Sequence, residues 1–126
     1  MTTSTSTVEP VNLVFQIYSG QALPDPLPEI TVTGPVDGIW TVTTPDDITQ
    51  EMLDAAIASI ELSTRLTENM QLLFDKISAG IPPNRDFLAI SSPTAEENDT
   101  QIQALTRQVN ALLILRSGDF YDISGT

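Results

Sequence analysis

The sequence contains no cysteine and no histidine. Those absences exclude disulfides, thiolate nucleophiles, imidazole bases and tetrahedral zinc sites, and with them the commonest catalytic and structural-metal constellations. Basic residues are scarce as well: five Lys and Arg stand against 17 Asp and Glu, for a formal net charge of −12 and a pI near 4.1. Arg65, Lys76, Arg85, Arg107 and Arg116 are scattered singly among carboxylates. With no basic patch to neutralise phosphates, nucleic acid is not an expected partner. The longest strictly apolar run is residues 111–115, far short of the roughly 18–20 residues that span a bilayer, and anionic headgroups would repel so acidic a surface. No membrane partner is expected. The first ten residues hold neither a basic nor an apolar stretch, so no secretory signal is expected either.

Motifs with a chemical mechanism are also missing. There is no calcium loop, no phosphate loop, no nucleophile elbow and no dinucleotide-binding turn. The best carboxylate cluster is Asp47, Glu51 and Asp54, at i, i+4 and i+7 on one helical face. Such a row holds a hard cation or an acid/base pair in some proteins, but is more often a solvated face. Lys76, beside Asp75, reads as a surface ion pair. The inventory therefore predicts no enzyme, and no catalytic, cofactor-binding or metal-binding residue.

What is present is pattern. A length of 126 residues fits one domain. Residues 2–7 are all Thr or Ser, can bury almost nothing, and predict a mobile arm over residues 1–10. Residues 11–44 read as a small β region. Val11, Leu13, Phe15 and Ile17 alternate as in a strand, a proline-rich loop follows, and Ile30 to Thr43 read as a hairpin interrupted at 34–38. Trp40, the sole tryptophan, lies mid-strand, either as an interface anchor or as a half-buried sheet residue.

Thr44-Pro45-Asp46-Asp47 has the chemistry of a helix start. A long helix is predicted over residues 45–80, ended by Gly80 and Pro82-Pro83, with a break near Ser63-Thr64 as the alternative. Its first half carries a broad stripe of Ile48, Met52, Leu53, Ala56, Ile57 and Ile60. Its second half carries a regular seam of Leu62, Leu66, Met70, Leu73 and Ile77. Residues 81–126 read as a loop, the short apolar segment 87–90, an amphipathic helix over 93–116 capped at Ser92, and an acidic tail. In that helix Ile102, Leu105, Val109 and Leu112 step by 3, 4 and 3, with β-branched residues at a and Leu at d, a coiled-coil spacing. So short a seam is marginal alone and must pack against the Leu66 to Ile77 seam of its own chain or against another copy. Phe120 and Tyr121 in the tail are further candidates for a docking contact. The fold class predicted is α+β: a small antiparallel sheet of about three strands, a long helix or helix pair, and a C-terminal coiled-coil-like helix.

Phe87-Leu88-Ala89-Ile90, then Ser92-Pro93-Thr94, then the run from Gln101 to Leu113, together resemble a recurring ending of small tailed-bacteriophage proteins. In that pattern an apolar tetrapeptide, a Pro-Thr helix start and an Ala-Leu-Thr-Arg-Gln-Val-Asn-Ala-Leu helix precede a short acidic tail. The likeness covers residues 87–126 and departs from the pattern at Ile114-Leu115-Arg116. It implies a minor structural protein of the virion, attached to capsid or tail and assembled in the host cytoplasm. Other phage structural proteins would be its partners, and the chain would be a homo-oligomer. A non-virion assembly factor, such as a tail or fibre chaperone, is the alternative. The resemblance carries over no functional residue, because the pattern has no catalytic motif.

Overall fold

The computed structural model describes all of residues 1–126, which form the expected α+β class. The order is β1 (Thr2–Ser6), α1 (Leu13–Ile17), β2 (Thr31–Val36), β3 (Ile39–Thr44), α2 (Gln50–Leu88) and α3 (Ala95–Ser117). Two compact units result, Met1–Arg65 and Leu66–Thr126, and α2 contributes residues to both.

The first unit holds a three-stranded antiparallel sheet in the order β1-β3-β2. β2 and β3 are the predicted hairpin, closed by Asp37 and Gly38, both at positive φ, as a two-residue turn between the paired Val36 and Ile39. The interruption is thus shorter than 34–38. Gly34 and Pro35 belong to β2, where the register slips between Thr33 and Val36. Gly34 has φ +120°, and a Cβ there would lie 2.8 Å from the Ile39 carbonyl oxygen, so only glycine fits this bulge.

The third strand is not the predicted one. The Thr/Ser arm is β1, paired along its length with β3 from Thr2 opposite Thr44 to Ser6 opposite Trp40. Threonine is a good strand former, and hydroxyls do the work that apolar side chains cannot. Thr2 donates to the Ile48 carbonyl at 2.8 Å and Ser4 to Asp54 at 2.6 Å, while the buried Ser6 donates to the Val8 carbonyl at 2.7 Å. With that edge of β3 occupied, residues 11–17 form no strand. Asn12 turns left-handed at φ 53° and the short helix α1 follows. The signal that mattered in this segment was i, i+4: Leu13 and Ile17 are buried one turn apart, and Phe15 between them faces solvent. They pack with Val42, Ile48, Leu53, Ala56, Ile57 and Ile60 in one cluster, so the broad stripe predicted for the first half of α2 is the core of this unit.

α2 begins five residues later than predicted. Thr44 is a buried strand residue, and Thr49 takes the capping role, its hydroxyl accepting the Met52 N–H at 3.2 Å. There is no break near residue 63: Thr64 returns its hydroxyl to the Ile60 carbonyl at 3.0 Å, which a continuous helix accommodates. Nor does α2 stop at Gly80, so residues 81–86 are helix rather than loop, as are Phe87 and Leu88. Pro82 and Pro83 lack the N–H groups that would bond the carbonyls of Ser78 and Ala79, but both of those residues are exposed to water, which lowers the cost of the interruption.

α3 starts two residues beyond the predicted Pro93. Thr94, not Ser92, is its cap, with a reciprocal capping box to Glu97: the Glu97 N–H donates to the Thr94 hydroxyl at 3.2 Å and the Thr94 N–H to the Glu97 carboxylate at 2.7 Å. The helix ends at Ser117, one residue past the predicted 116, with Gly118 left-handed at φ 74° as its C-cap.

Candidate functional site

Among the sequence candidates, the second-half seam of α2 and the C-terminal helix are brought together, because α2 and α3 pack against each other in the second unit. Leu73 is fully buried there, and Leu66, Met70 and Ile77 are half-buried. What α3 turns toward α2 is not its a/d row but its small and amide side chains, Ala104, Gln108 and Ala111. The Gln108 amide lies directly over Gly80, where a Cβ would come 2.5 Å from its Nε2 and turn that side chain aside. An amide cluster fixes the register. Asn84 donates to Gln108 at 2.7 Å and accepts from Gln101 at 2.8 Å.

The a/d row of α3 is open. Ile102, Leu105, Val109 and Leu112 are 61%, 43%, 51% and 52% exposed. The choice between packing in cis and in trans therefore resolves for α2 but not for α3: the α2 seam is used within the chain, and the α3 row keeps about half of its surface open to solvent.

The tail docks on the hairpin of α2 and α3. Asn69 donates to the Phe120 carbonyl at 2.8 Å, Asn110 to the Gly125 carbonyl at 3.0 Å, and Lys76 to the Thr126 hydroxyl at 2.8 Å. Lys76 thus holds the tail, while its neighbour Asp75 accepts from Gln71. Phe120 and Ile123 are half-buried and Tyr121 is exposed. Trp40 is half-buried on the side of β3 that carries Val42 and Thr44 into the core.

Of the carboxylates singled out in the sequence, Asp47 lies in the turn before α2, so the row on one helical face is reduced to the exposed Glu51 and Asp54, and Asp54 has structural work. Asp54 accepts from Ser4 and from Gln50, and these bonds hold its carboxyl below the usual aspartate range. Glu61, which sequence reasoning passed over, accepts the Thr7 N–H at 2.8 Å and the Thr7 hydroxyl at 3.1 Å, and the Ser6 hydroxyl, 3.2 Å away, shares its one proton between Glu61 and the Val8 carbonyl. Its carboxyl is held below the ordinary glutamate value, chiefly by the Thr7 N–H. No group of three or more Asp and Glu is placed to hold a metal ion, and no helix is long and apolar enough to cross a membrane.

Glu61 makes the docking of the segment after β1 pH-dependent. A carboxylate whose folded pKa is depressed adds stability above its unfolded value, about 4.3 for glutamate, and loses it as pH falls through the lower folded value. Protection of the Thr7 amide against hydrogen exchange is expected to drop as pH is lowered from about 4.3. In Glu61→Gln it should be lower at neutral pH and flat across the same window. Equal protection in both proteins at neutral pH would remove Glu61 from this role.

No family model matches the chain, and neither any curated protein nor any solved structure does.

Proposed function

We propose that this chain is a minor structural protein of a tailed-bacteriophage virion, attached to capsid or tail by apolar contacts. The observation that carries the reading is the open a/d row of α3, an apolar strip on a chain with net charge −12. A soluble acidic protein keeps such a strip only when something covers it. The resemblance of residues 87–126 to the ending of small tailed-phage proteins supplies the setting, and that segment comprises the end of α2, all of α3 and the docked tail. Partners of this kind are proteins. The charge disfavours nucleic acid and anionic lipid, and no residue is assigned a catalytic step, a cofactor or a metal.

Mass spectrometry of gradient-purified particles tests the reading. Peptides of the chain are expected to co-sediment with the major capsid and tail proteins, at a ratio that stays constant across the particle peak. A chain abundant in infected lysate and absent from particles would overturn the virion assignment and leave the assembly-factor reading.

A further inference from the structure

The open row of α3 is half of a larger surface. Around α2, the residues turned to α3 include Ile77, Gly80 and Asn84; around α3, they include Ala104, Gln108 and Ala111. In two antiparallel helices, the residue following each facing position rotates to the same side of the pair, and the residue preceding it rotates to the other. The preceding positions, among them Lys76, Ala79 and Arg107, line the groove with Thr126 of the tail. The following positions include Ile81 on α2 and Leu105, Val109 and Leu112 on α3. Phe74 and Leu88, one heptad to either side of Ile81, continue the α2 row, and all three are exposed. One side of the hairpin is thus covered by the chain's own tail, and the other presents apolar rows from both helices.

We propose that this tail-free face is the interface through which two copies of the chain pair about a two-fold axis. Three observations name a second copy as the occupant. Charge is the first: of residues 100–115 Arg107 is the only Asp, Glu, Lys or Arg, on the tail side, and the α2 row 74, 78, 81, 85, 88 holds Arg85 but no Asp or Glu. Two chains of charge −12 repel over most of their surface, and this face is where like carboxylates do not meet. The second is the state of the core, since Leu73 and Ala111 are the only fully buried apolar residues of the unit 66–126. A two-helix hairpin is marginal on so little; pairing its open face with itself completes a four-helix core. The third is area: the four α3 side chains with Phe74, Ile81 and Leu88 expose on the order of 700 Å², close to the about 800 Å² per partner of a standard interface. A two-fold contact uses the same patch on both subunits, and the centre of this one, Ile81 with Leu105, Val109 and Leu112, is apolar, with Arg85 the one charged residue of the α2 row.

The inference rests on the reading of the chain as an assembling component, but particle content and solution mass are separate measurements and either can fail alone. The test is light scattering after size-exclusion chromatography of the full chain over a wide concentration range. The wild type is expected at twice the chain mass of 13.7 kDa, and Leu105→Asp with Leu112→Asp at half the wild-type mass, with helical circular dichroism that melts at lower urea because the hairpin has lost its cover. Arg107→Glu, on the tail side, should keep the wild-type mass. A second variant guards against misfolding: Ile81→Lys alone should weaken the pair at least tenfold in dissociation constant. A wild type of one copy, or of three, at every concentration overturns the proposal, as does an aspartate double variant that keeps the wild-type mass.

Discussion

Deletion of residues 2–7 is expected to unfold the first unit and leave the second folded. Those residues supply a strand paired over five positions with β3, and each backbone bond of the ladder contributes about 0.5–1.5 kcal/mol net. They also supply the hydroxyls that bond the Ile48 carbonyl, Asp54 and Glu61. Their loss opens the edge of β3 beside Val42, which is wholly buried in the intact chain, and leaves the carboxylates of Asp54 and Glu61 with fewer donors. The combined effect approaches the about 5–15 kcal/mol that separates a folded domain from its unfolded state. Hydrogen exchange read segment by segment should show residues 31–60 exchanging freely, while α3 and the adjoining part of α2 keep their protection. Unchanged protection over 31–60 would mean that the arm is as dispensable as its composition implies.

The substitution with the next largest expected effect is Leu73→Ala. Leu73 is fully buried between α2 and α3, and truncating a buried leucine costs about 2–5 kcal/mol, the lost transfer energy plus a cavity. Because the unit has almost no other buried apolar side chain, little remains to collapse into the space. Urea denaturation followed by helical circular dichroism should show the transition of the second unit moved to lower denaturant. Leu113→Ala, at a side chain 60% exposed on the same helix as Ala111, serves as the reference and should stay within about 0.5 kcal/mol of wild type. Equal effects at the two positions would contradict the packing of the hairpin.

Periodicity made the helices legible, and it also set the limit of what could be read. The hairpin of β2 and β3 was visible because β-branched residues flank an Asp-Gly turn. The first-half stripe of α2 was visible because Leu53, Ala56, Ile57 and Ile60 repeat at helical spacing. Residues 11–17 misled because four alternating apolar residues contain an i, i+4 pair at Leu13 and Ile17, and which period wins is decided by whether the sheet edge is free. That edge was taken by a segment whose composition signals disorder, since hydroxyl-to-helix bonds leave no apolar trace in a sequence. Gly80 and Pro82-Pro83 read as a helix stop, but tertiary packing overrides local propensity here: the Gln108 amide lies over the glycine, and the prolines interrupt bonds at exposed turns. The a/d row of α3 was found by spacing, yet spacing does not say which helical face meets the partner within the chain. Alanines and glutamines at 104, 108 and 111 do that, and small residues at heptad spacing are the signal that would have revealed it.

The sharing of α2 between two units has a kinetic consequence. Starting a helix is the slow and unfavourable step, and extending one is fast. A chain in which either unit has formed its stretch of α2 presents the other with a helix end already nucleated, so the remaining stretch of α2 needs propagation alone. Residues 62–66, where the first core gives way to the second, then act as the point through which order spreads from one half of the molecule to the other. During synthesis the N-terminal sheet emerges first, and the hairpin that follows has a template waiting for it.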